Sequence, residues 1–207
     1  MHGTIFQTSD STGVQNGGNN DRIAQIDAAV GIVPDFPKPG IQFRDIFGIF
    51  KDPVVTQNLI DELMLLISKN VLSTNSPSSI SKKIDAVLGL DARGFLLGPV
   101  LALNLKCAFV PIRKVGKLPG NCFSTSYDLE YGSATVEIQA DGLRQGDQVI
   151  IFDDVLATGG TVRAATDLVR KCGANPMAAI FIIELNELEG RKKIESADVS
   201  VHSLIKY

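Results

Sequence analysis

The sequence predicts an α/β fold in which a mostly parallel, twisted sheet is covered by helices on both faces. Apolar runs of strand length alternate along the chain with segments of helical periodicity, which is typical of parallel sheets. Two of these runs, Ile84–Leu90 and Gln148–Phe152, are almost continuously apolar, as strands buried on both faces are. Glycine-containing turns follow both runs, at the carboxyl ends of the strands, where such folds bind ligands.

The first third of the chain predicts a tail, two helices and an irregular stretch. Residues 1–20 are rich in Ser, Thr, Asn and Gly, and we expect a flexible tail before a single domain over residues 21–207. A short helix is predicted over residues 22–30. Proline excludes a helix from Pro34 to Gly40, which should be extended or a turn. Helical spacing of leucine and isoleucine predicts a helix over Pro53–Asn70.

The remaining elements alternate between strand and helix. Residues 73–81 are a polar loop to which we assign no function. The predicted strands are residues 84–90, 108–112, 134–139, 148–152, 177–185 and, at the sheet edge, 198–206. The predicted helices are residues 94–105 and 161–172.

Composition excludes several classes of function. A net charge of −3 over 207 residues gives no electrostatic footprint for nucleic acid or an anionic membrane. The longest apolar runs are too short to span a bilayer, and no secretory signal is visible. Three scattered cysteines favour reduced thiols and a cytoplasmic location. Two distant histidines are too few for a zinc site, so any catalytic metal should be Mg²⁺ carried largely by the substrate.

Residues 149–161 carry the strongest functional signal. An apolar strand ends in Asp153 and Asp154, and a short glycine-rich loop then leads into an amphipathic helix. This arrangement points backbone N–H groups at a phosphate, while glycine allows close approach and threonine adds hydroxyl donors. The predicted phosphate contacts are Ala157, Thr158, Gly159, Gly160 and Thr161.

The adjacent acid pair narrows the ligand further. Asp153 and Asp154 would repel a phosphate placed beside them, but they suit the hydroxyl groups of a sugar. A ribose 5-phosphate meets both requirements, and Mg²⁺ near Asp153 and Asp154 could offset the remaining charge. The alternative is an ordinary βα turn with an acidic cap, which does not explain why the acid pair and the Thr-Gly-Gly-Thr run occur in register.

The segment resembles the binding motif for 5-phosphoribosyl 1-diphosphate (PRPP) in type I phosphoribosyltransferases. Other stretches narrow the resemblance to the adenine phosphoribosyltransferases, and it runs from about residue 22 to residue 207. They are Asp35–Asp45 (DFPKPGIQFRD), Gly89–Phe95 (GLDARGF), Ile112–Gly120 (IRKVGKLPG) and Tyr127–Gly132 (YDLEYG). The resemblance implies the type I phosphoribosyltransferase fold, with a hood at about residues 31–48 and a flexible lid loop at about 115–133. It also implies a homodimer and the Mg²⁺-dependent conversion of adenine and PRPP to AMP and diphosphate, a step of purine salvage.

The remaining motifs supply basic groups for the diphosphate. Arg93 could grip it with two parallel hydrogen bonds, although an Asp-x-Arg-Gly turn with a surface ion pair is the plainer alternative. The resemblance implies a cis peptide at Asp91–Ala92. Residues 115–133 are too long for an ordinary hairpin connection and predict a lid carrying Lys117, with Arg113 and Lys114 as possible helpers. A mobile loop with solvated charges is the alternative.

The resemblance also selects the residues for proton transfer and for the base. Within the Leu-Glu-Tyr-Gly motif, Glu130 is the candidate general acid or base and Tyr131 a substrate contact. The candidate adenine contacts are Ile41, Gln42, Arg44 and Leu185. Gln42 departs from the family, whose commoner residue there is apolar. Enzymes for 6-oxopurines carry an acid where this chain has Ala157, which favours a 6-aminopurine.

Two other functions stay open at this point. One is a phosphoribosyltransferase for another purine base. The other is a regulatory protein that senses PRPP or purines, which usually adds a basic DNA-binding domain or loses the catalytic lid. This chain has no basic N-terminal domain, and Glu130 is present.

Overall fold

The computed structural model describes residues 19–73, 83–128 and 132–207, which form a seven-stranded sheet, a separate two-stranded hairpin and five α-helices. The helices are α1 (Asn19–Ala28), α2 (Pro53–Ile67), α3 (Gly94–Leu105), α4 (Gly160–Lys171) and α5 (Gly190–Glu195). The strands are β1 (Gly31–Pro34), β2 (Gln42–Asp45), β3 (Ala86–Leu90), β4 (Ala108–Lys114), β5 (Cys122–Asp128), β6 (Ser133–Gln139), β7 (Gln148–Leu156), β8 (Asn175–Glu184) and β9 (Ser200–Lys206). Short 3₁₀ turns cover Ile46–Lys51 and Asn186–Leu188, and a π-helical turn covers Ser68–Leu72.

The large sheet is mostly parallel, as predicted. Its strand order is β5-β6-β4-β3-β7-β8-β9. The five neighbouring strands β4, β3, β7, β8 and β9 are parallel to one another. Strand β6 pairs antiparallel with both β4 and β5. The last strand, β9, lies at the sheet edge, which confirms the prediction for residues 198–206.

Successive side chains of the central strands enter two different hydrophobic cores. Leu88 and Ile151 face the core formed with α4 and α5, whereas Val87 and Ile150 face the core formed with α1, α2 and α3. All four side chains are fully buried, and each such burial contributes roughly 1.5–3 kcal/mol. The prediction of helices on both faces is therefore confirmed.

The helix predictions agree with the structure to within one turn. The Asp52 carboxylate accepts a hydrogen bond of 2.8 Å from the N–H of Val54 and caps α2, whose first residue is Pro53. The α2 helix gives way to the π-helical turn after Ile67, three residues before the predicted end. Its buried face includes Leu59 and Leu63, as the periodicity predicts.

The strand that carries the acid pair is longer than predicted. We expected it to end at Phe152, but β7 continues to Leu156 because β8 pairs with this extension. In the register, Asp153 lies opposite Phe181 and Leu156 lies opposite Glu184. The two carboxylates therefore project from a rigid strand.

The predicted lid contains a strand, so the loop prediction is wrong for Cys122–Asp128. This segment is β5, which pairs with β6 through seven register partners. Sequence patterning missed β5 because its side chains are mostly polar and half-exposed, and backbone pairing holds it. It is also attached to α4, since Nζ of Lys171 donates a hydrogen bond of 2.7 Å to the carbonyl of Ser124.

The predicted hood is a hairpin of β1 and β2 joined by an irregular segment. Residues between Pro34 and Gly40 are turns and extended chain, as expected, and the N–H of Gly40 donates to Oδ1 of Asp35 over 2.7 Å. Helix α1 begins at Asn19, two residues inside the predicted tail. The rest of that tail and most of the predicted loop over residues 73–81 lie outside the described residues. Among the described helices, none combines the length and the apolar character needed to cross a membrane.

Candidate active site

The carboxyl ends of three neighbouring strands bring the predicted motifs to one edge of the sheet. Strand β3 lies between β4 and β7 and is parallel to both. Arg93 follows β3, Lys114 ends β4, and Asp153 and Asp154 lie near the end of β7. A larger cavity, of about 440 Å³, lies at the other end of these strands, near Lys83, Asp85 and Asp147, and none of the predicted site residues lines it.

Arg93 and Asp154 form an ion pair at the centre of the site. Nε of Arg93 lies 2.5 Å from Oδ2 of Asp154, whose side chain is only 3% exposed. The two atoms are close, but the contact lacks hydrogen-bond alignment, and neither atom has another hydrogen-bond partner among the described residues. The pair is therefore held by charge, with hydrogen-bonding capacity left on both sides.

Asp153 has an unusual electrostatic environment. Burial raises its pKa well above the ordinary value for aspartate, and the neighbouring Asp154 carboxylate raises it further. The N–H of Asp154 donates to Oδ1 of Asp153 over 2.9 Å, which only partly opposes this effect. Burial and the neighbouring carboxylate therefore both favour the protonated form of Asp153.

The glycine loop encloses a small cavity and is backed by α5. The cavity measures about 80 Å³ and runs from Asp153 to Val162. Gly159 has φ of +73°, a conformation that favours glycine. A Cβ on Gly190, the first residue of α5, would lie 2.1 Å from the carbonyl oxygen of Ala157. The loop can therefore keep this shape only if residue 190 has no side chain.

The hydroxyl of Thr161 joins the loop to β5. Its Oγ1 lies 3.0 Å from the hydroxyl oxygen of Tyr127. Tyr127 packs against the core on the α4 face, so the glycine loop and β5 are in direct contact. The sequence gives no indication of this pair, whose members are 34 residues apart.

Arg113 contacts the protein itself. Its Nε donates to Oδ2 of Asp91 over 2.9 Å, and its Nη1 donates to the carbonyl of Lys117 over 3.2 Å. The peptide bond between Asp91 and Ala92 is cis, as the resemblance implies. Lys114 and Lys117 are exposed beside this network. Arg113 thus ties the turn after β3 to the turn after β4.

Sequence reasoning missed Glu137. It lies on β6, its side chain is buried, and its Oε1 accepts hydrogen bonds from the N–H groups of Lys117 (3.0 Å) and Leu118 (2.9 Å). Burial alone would raise its pKa, but the N–H groups of Leu118, Gly116 and Lys117 together hold the pKa below the ordinary value for glutamate. Glu137 therefore stays ionised under the basic turn.

Phe43 and Arg44 of β2 each take part in a contact between a guanidinium group and an aromatic ring, and Phe43 meets Arg93 of the site. The guanidinium carbon of Arg93 lies 5.3 Å from the ring centre of Phe43, and that of Arg44 lies 3.8 Å above the ring of Tyr207. Ile41 and Gln42 are exposed where β2 begins. The N–H of Leu185 donates to the carbonyl of Leu156 over 2.9 Å, which places Leu185 beside the end of β7.

Two predicted site residues fall in the segment 129–131. Glu130 and Tyr131 lie outside the described residues, so their roles stay predictions. Within residues 19–73, 83–128 and 132–207, no group of three or more His, Cys, Asp or Glu side chains could hold a metal ion.

Comparison with known proteins identifies the family. A model described as phosphoribosyl transferase domain matches residues 56–207. The adenine phosphoribosyltransferase of Burkholderia cenocepacia is 43% identical over 187 residues, which cover 90% of this chain and 93% of that protein. The chain belongs to the adenine phosphoribosyltransferase family.

Further adenine phosphoribosyltransferases agree in sequence and in fold. The enzyme of Dinoroseobacter shibae is 44% identical over 175 residues, covering 84% of this chain and 91% of the relative. A crystal structure of the Saccharomyces cerevisiae adenine phosphoribosyltransferase, complexed with adenine and an imino-altritol bisphosphate, has a TM-score of 0.81 and 42% identity. It covers 89% of this chain and 99% of that one. The predicted resemblance and the predicted fold are confirmed, and the family consists of pentosyltransferases.

Proposed function

We propose that this enzyme transfers the 5-phosphoribosyl group of PRPP to a ring nitrogen of adenine, forming AMP and diphosphate. The observation that carries the proposal is the meeting of the β7 acid pair and glycine loop with Arg93 at one sheet edge. Each part of PRPP has a counterpart in this site. The glycine loop suits the 5′-phosphate, the carboxylates suit the ribose hydroxyls, and Arg93 suits the diphosphate. The choice of adenine as the base rests on membership of the adenine phosphoribosyltransferase family.

The glycine loop anchors the 5′-phosphate. Its backbone N–H groups precede α4, and the partial positive charge at a helix N-terminus favours an anion there. Thr158 and Thr161 add hydroxyl donors to the contacts from Ala157, Gly159 and Gly160. An anchor remote from the reacting carbon fixes the geometry of attack.

The acid pair binds the ribose hydroxyls. Asp153 and Asp154 also fit a Mg²⁺ ion carried by PRPP, because Mg²⁺ takes one or two carboxylates together with substrate phosphates. Oδ2 of Asp154 has unused hydrogen-bonding capacity. When bound, the ion would neutralise charge on the diphosphate.

The basic groups stabilise the departing diphosphate. The bond between the anomeric carbon and the diphosphate breaks as the base nitrogen attacks, and its electron pair leaves with the diphosphate. Arg93 and Lys117 face the negative charge that develops there, while Lys114 adds a third cation and Arg113 holds the turn. Asp153 and Asp154 stabilise the positive charge on the ribose.

Glu130 exchanges a proton with the adenine ring, and Tyr131 contacts the substrate beside it. The Leu-Glu-Tyr-Gly motif supports this assignment. For the base, the resemblance selects Ile41, Gln42, Arg44 and Leu185, and Ala157 leaves room where 6-oxopurine enzymes carry an acid. A different purine base is the remaining alternative, because Gln42 departs from the family pattern.

We also propose a homodimer in the cytoplasm. The homodimer rests on the family resemblance. The location rests on the three cysteines, all of which are unpaired, as thiols are in a reducing compartment.

A spectrophotometric assay tests the proposed function. Purified protein is given PRPP and Mg²⁺ with adenine, hypoxanthine, guanine or orotate in separate reactions. We expect AMP from adenine and no nucleotide from the other three. Turnover of another base in place of adenine contradicts the assignment of the base, and binding of PRPP without any turnover favours a sensor.

A further inference from the structure

The turn that carries Lys114 and Lys117 is held from two sides, by Arg113 with Asp91 and by Glu137. Of these three side chains, Glu137 alone lies outside the motifs quoted above. On one side, Nη1 of Arg113 donates to the carbonyl of Lys117 over 3.2 Å, and Asp91 holds the same guanidinium. On the other side, Oε1 of Glu137 accepts from the N–H groups of Lys117 and Leu118. The peptide groups on both sides of the Lys117 α-carbon are therefore fixed.

Glu137 is well suited to hold the turn. It lies directly opposite Arg113 in the β4–β6 register, on a strand paired along both edges. Its side chain is only 5% exposed, so water competes weakly for the two N–H groups. A charged acceptor makes hydrogen bonds about twice as strong as a neutral one, and the lowered pKa of Glu137 keeps it ionised at neutral pH.

The position of Lys117 depends on these contacts. Its side chain is exposed and starts from a turn that contains Gly116, whose φ is +79°. An exposed lysine on such a turn has many accessible positions unless its backbone is fixed. The N–H of Lys117 also donates to the carbonyl of Lys114 over 3.2 Å, which closes the turn. The Glu137 carboxylate ties this turn to β6.

We propose that Glu137 is a positioning residue, which presents Lys117 to the diphosphate of PRPP by holding the backbone of the Lys114–Leu118 turn. This inference rests on the proposed function, since it takes the diphosphate as the group that Lys117 meets. Glu137 touches no substrate atom in this role and acts through Lys117.

Two substitutions and a matched control separate positioning from stability. Glu137→Ala removes the acceptor, whereas Glu137→Gln keeps a neutral oxygen that can still accept from both N–H groups. Glu62→Gln alters another buried carboxylate, which lies on α2 and is 3.7 Å from Arg22. We expect Glu137→Ala to raise the KM for PRPP roughly 10- to 100-fold, with a smaller rise for Glu137→Gln. The KM for adenine should change less than about two-fold, and Glu62→Gln should change neither KM.

A double-mutant cycle with Lys117→Ala gives the decisive result. If Glu137 acts through Lys117, adding Glu137→Gln to Lys117→Ala should raise the KM for PRPP no further. Additive effects of the two substitutions overturn the proposal, and so does an unchanged KM in both Glu137 variants. The Gln variant carries the test alone if the Ala variant does not fold.

Calorimetry with diphosphate and Mg²⁺ separates this proposal from the proposed function. A wild-type protein that binds diphosphate but converts no adenine contradicts the proposed function. Weaker diphosphate binding by Glu137→Gln would then still support the positioning role, and equal binding would overturn it. A wild-type protein that forms AMP but binds no diphosphate overturns the positioning role and leaves the proposed function standing.

Discussion

Nε of Arg93 lies 2.5 Å from Oδ2 of Asp154, and this ion pair joins the turn after β3 to the acid pair on β7. In the proposed mechanism the bond between the ribose and the diphosphate breaks. Arg93 contacts the departing diphosphate, and Asp154 contacts the ribose. Their contact compensates the charge of the buried Asp154 carboxylate. Stability and substrate binding are therefore coupled at this pair.

Arg93→Ala should weaken PRPP binding and destabilise the fold together. We expect a higher KM for PRPP and a free energy of unfolding lower by roughly 1–3 kcal/mol, because the Asp154 carboxylate loses its partner. Arg93→Lys should restore most of the stability but little of the binding, since lysine lacks the planar fork. Urea unfolding and steady-state kinetics measure the two effects.

Arg22→Ala is the matched control for Arg93. The Arg22 side chain is 35% exposed, against 36% for Arg93, and it also lies near a buried carboxylate, that of Glu62. It should lower stability and leave the KM for PRPP unchanged. An Arg93→Ala enzyme with wild-type KM would contradict the proposed diphosphate contact.

Gly190→Ala should displace the glycine loop. The added methyl group would lie 2.1 Å from the carbonyl oxygen of Ala157 and 2.8 Å from the nitrogen of Gly159, so the backbone must move. We expect lower stability and a KM for PRPP raised roughly 10-fold or more, with little change for adenine. In Gly31→Ala, the new atom would meet Asp45 at an ordinary 3.4 Å, and PRPP binding should be normal. Equal PRPP affinity in both variants would show that α5 does not shape the loop.

Glu130→Gln should lower turnover by roughly 10² to 10⁴ and leave the affinity for PRPP nearly intact. The amide keeps the shape of the side chain but cannot exchange the proton. Glu195→Gln, an exposed change at the end of α5, is the control. Turnover of Glu130→Gln within a few-fold of wild type would refute the role of this residue as general acid or base.

Ionisation of Tyr207 should lower the free energy of unfolding at alkaline pH. Burial and the hydrogen bond to Asp27 raise the pKa of Tyr207 to about 12, although Arg44 partly opposes this. Because the folded-state pKa lies above the ordinary value of 10.0, the contribution is fully present below pH 10 and is lost as pH rises towards about 12. In Tyr207→Phe this loss should be absent, so the difference in unfolding free energy between the two proteins should shrink over that range. A difference that stays constant with pH would contradict the assignment.

The sequence predicts the parts of the fold that depend on local patterns. Gly94–Leu105 has the predicted bounds because an apolar run and its flanking turns define both ends. By contrast, β5 is polar and exists through pairing with β6, and β7 extends through two aspartates because β8 continues beside it. Such pairing is long-range, so periodicity within one segment cannot reveal it.

In the candidate site, too, local motifs are predictable from the sequence and long-range contacts are not. The glycine loop, the acid pair and Arg93 are recognisable as motifs, and the fold brings them to one edge. Arg113 has the residue type of a ligand contact, yet it binds Asp91, 22 residues away. Glu137 reaches the Lys117 turn across 20 residues and belongs to no motif. Its role becomes visible only when the strand register is known.

A competition experiment tests the central claim most directly. Adenine, hypoxanthine, guanine and orotate are supplied together at equal concentration with limiting PRPP and Mg²⁺, and the nucleotides formed are identified by mass spectrometry. We predict AMP as the sole nucleotide, with one diphosphate released per AMP. A mixture of nucleotides, or a product from one of the other three bases, would contradict the assignment of adenine as the substrate.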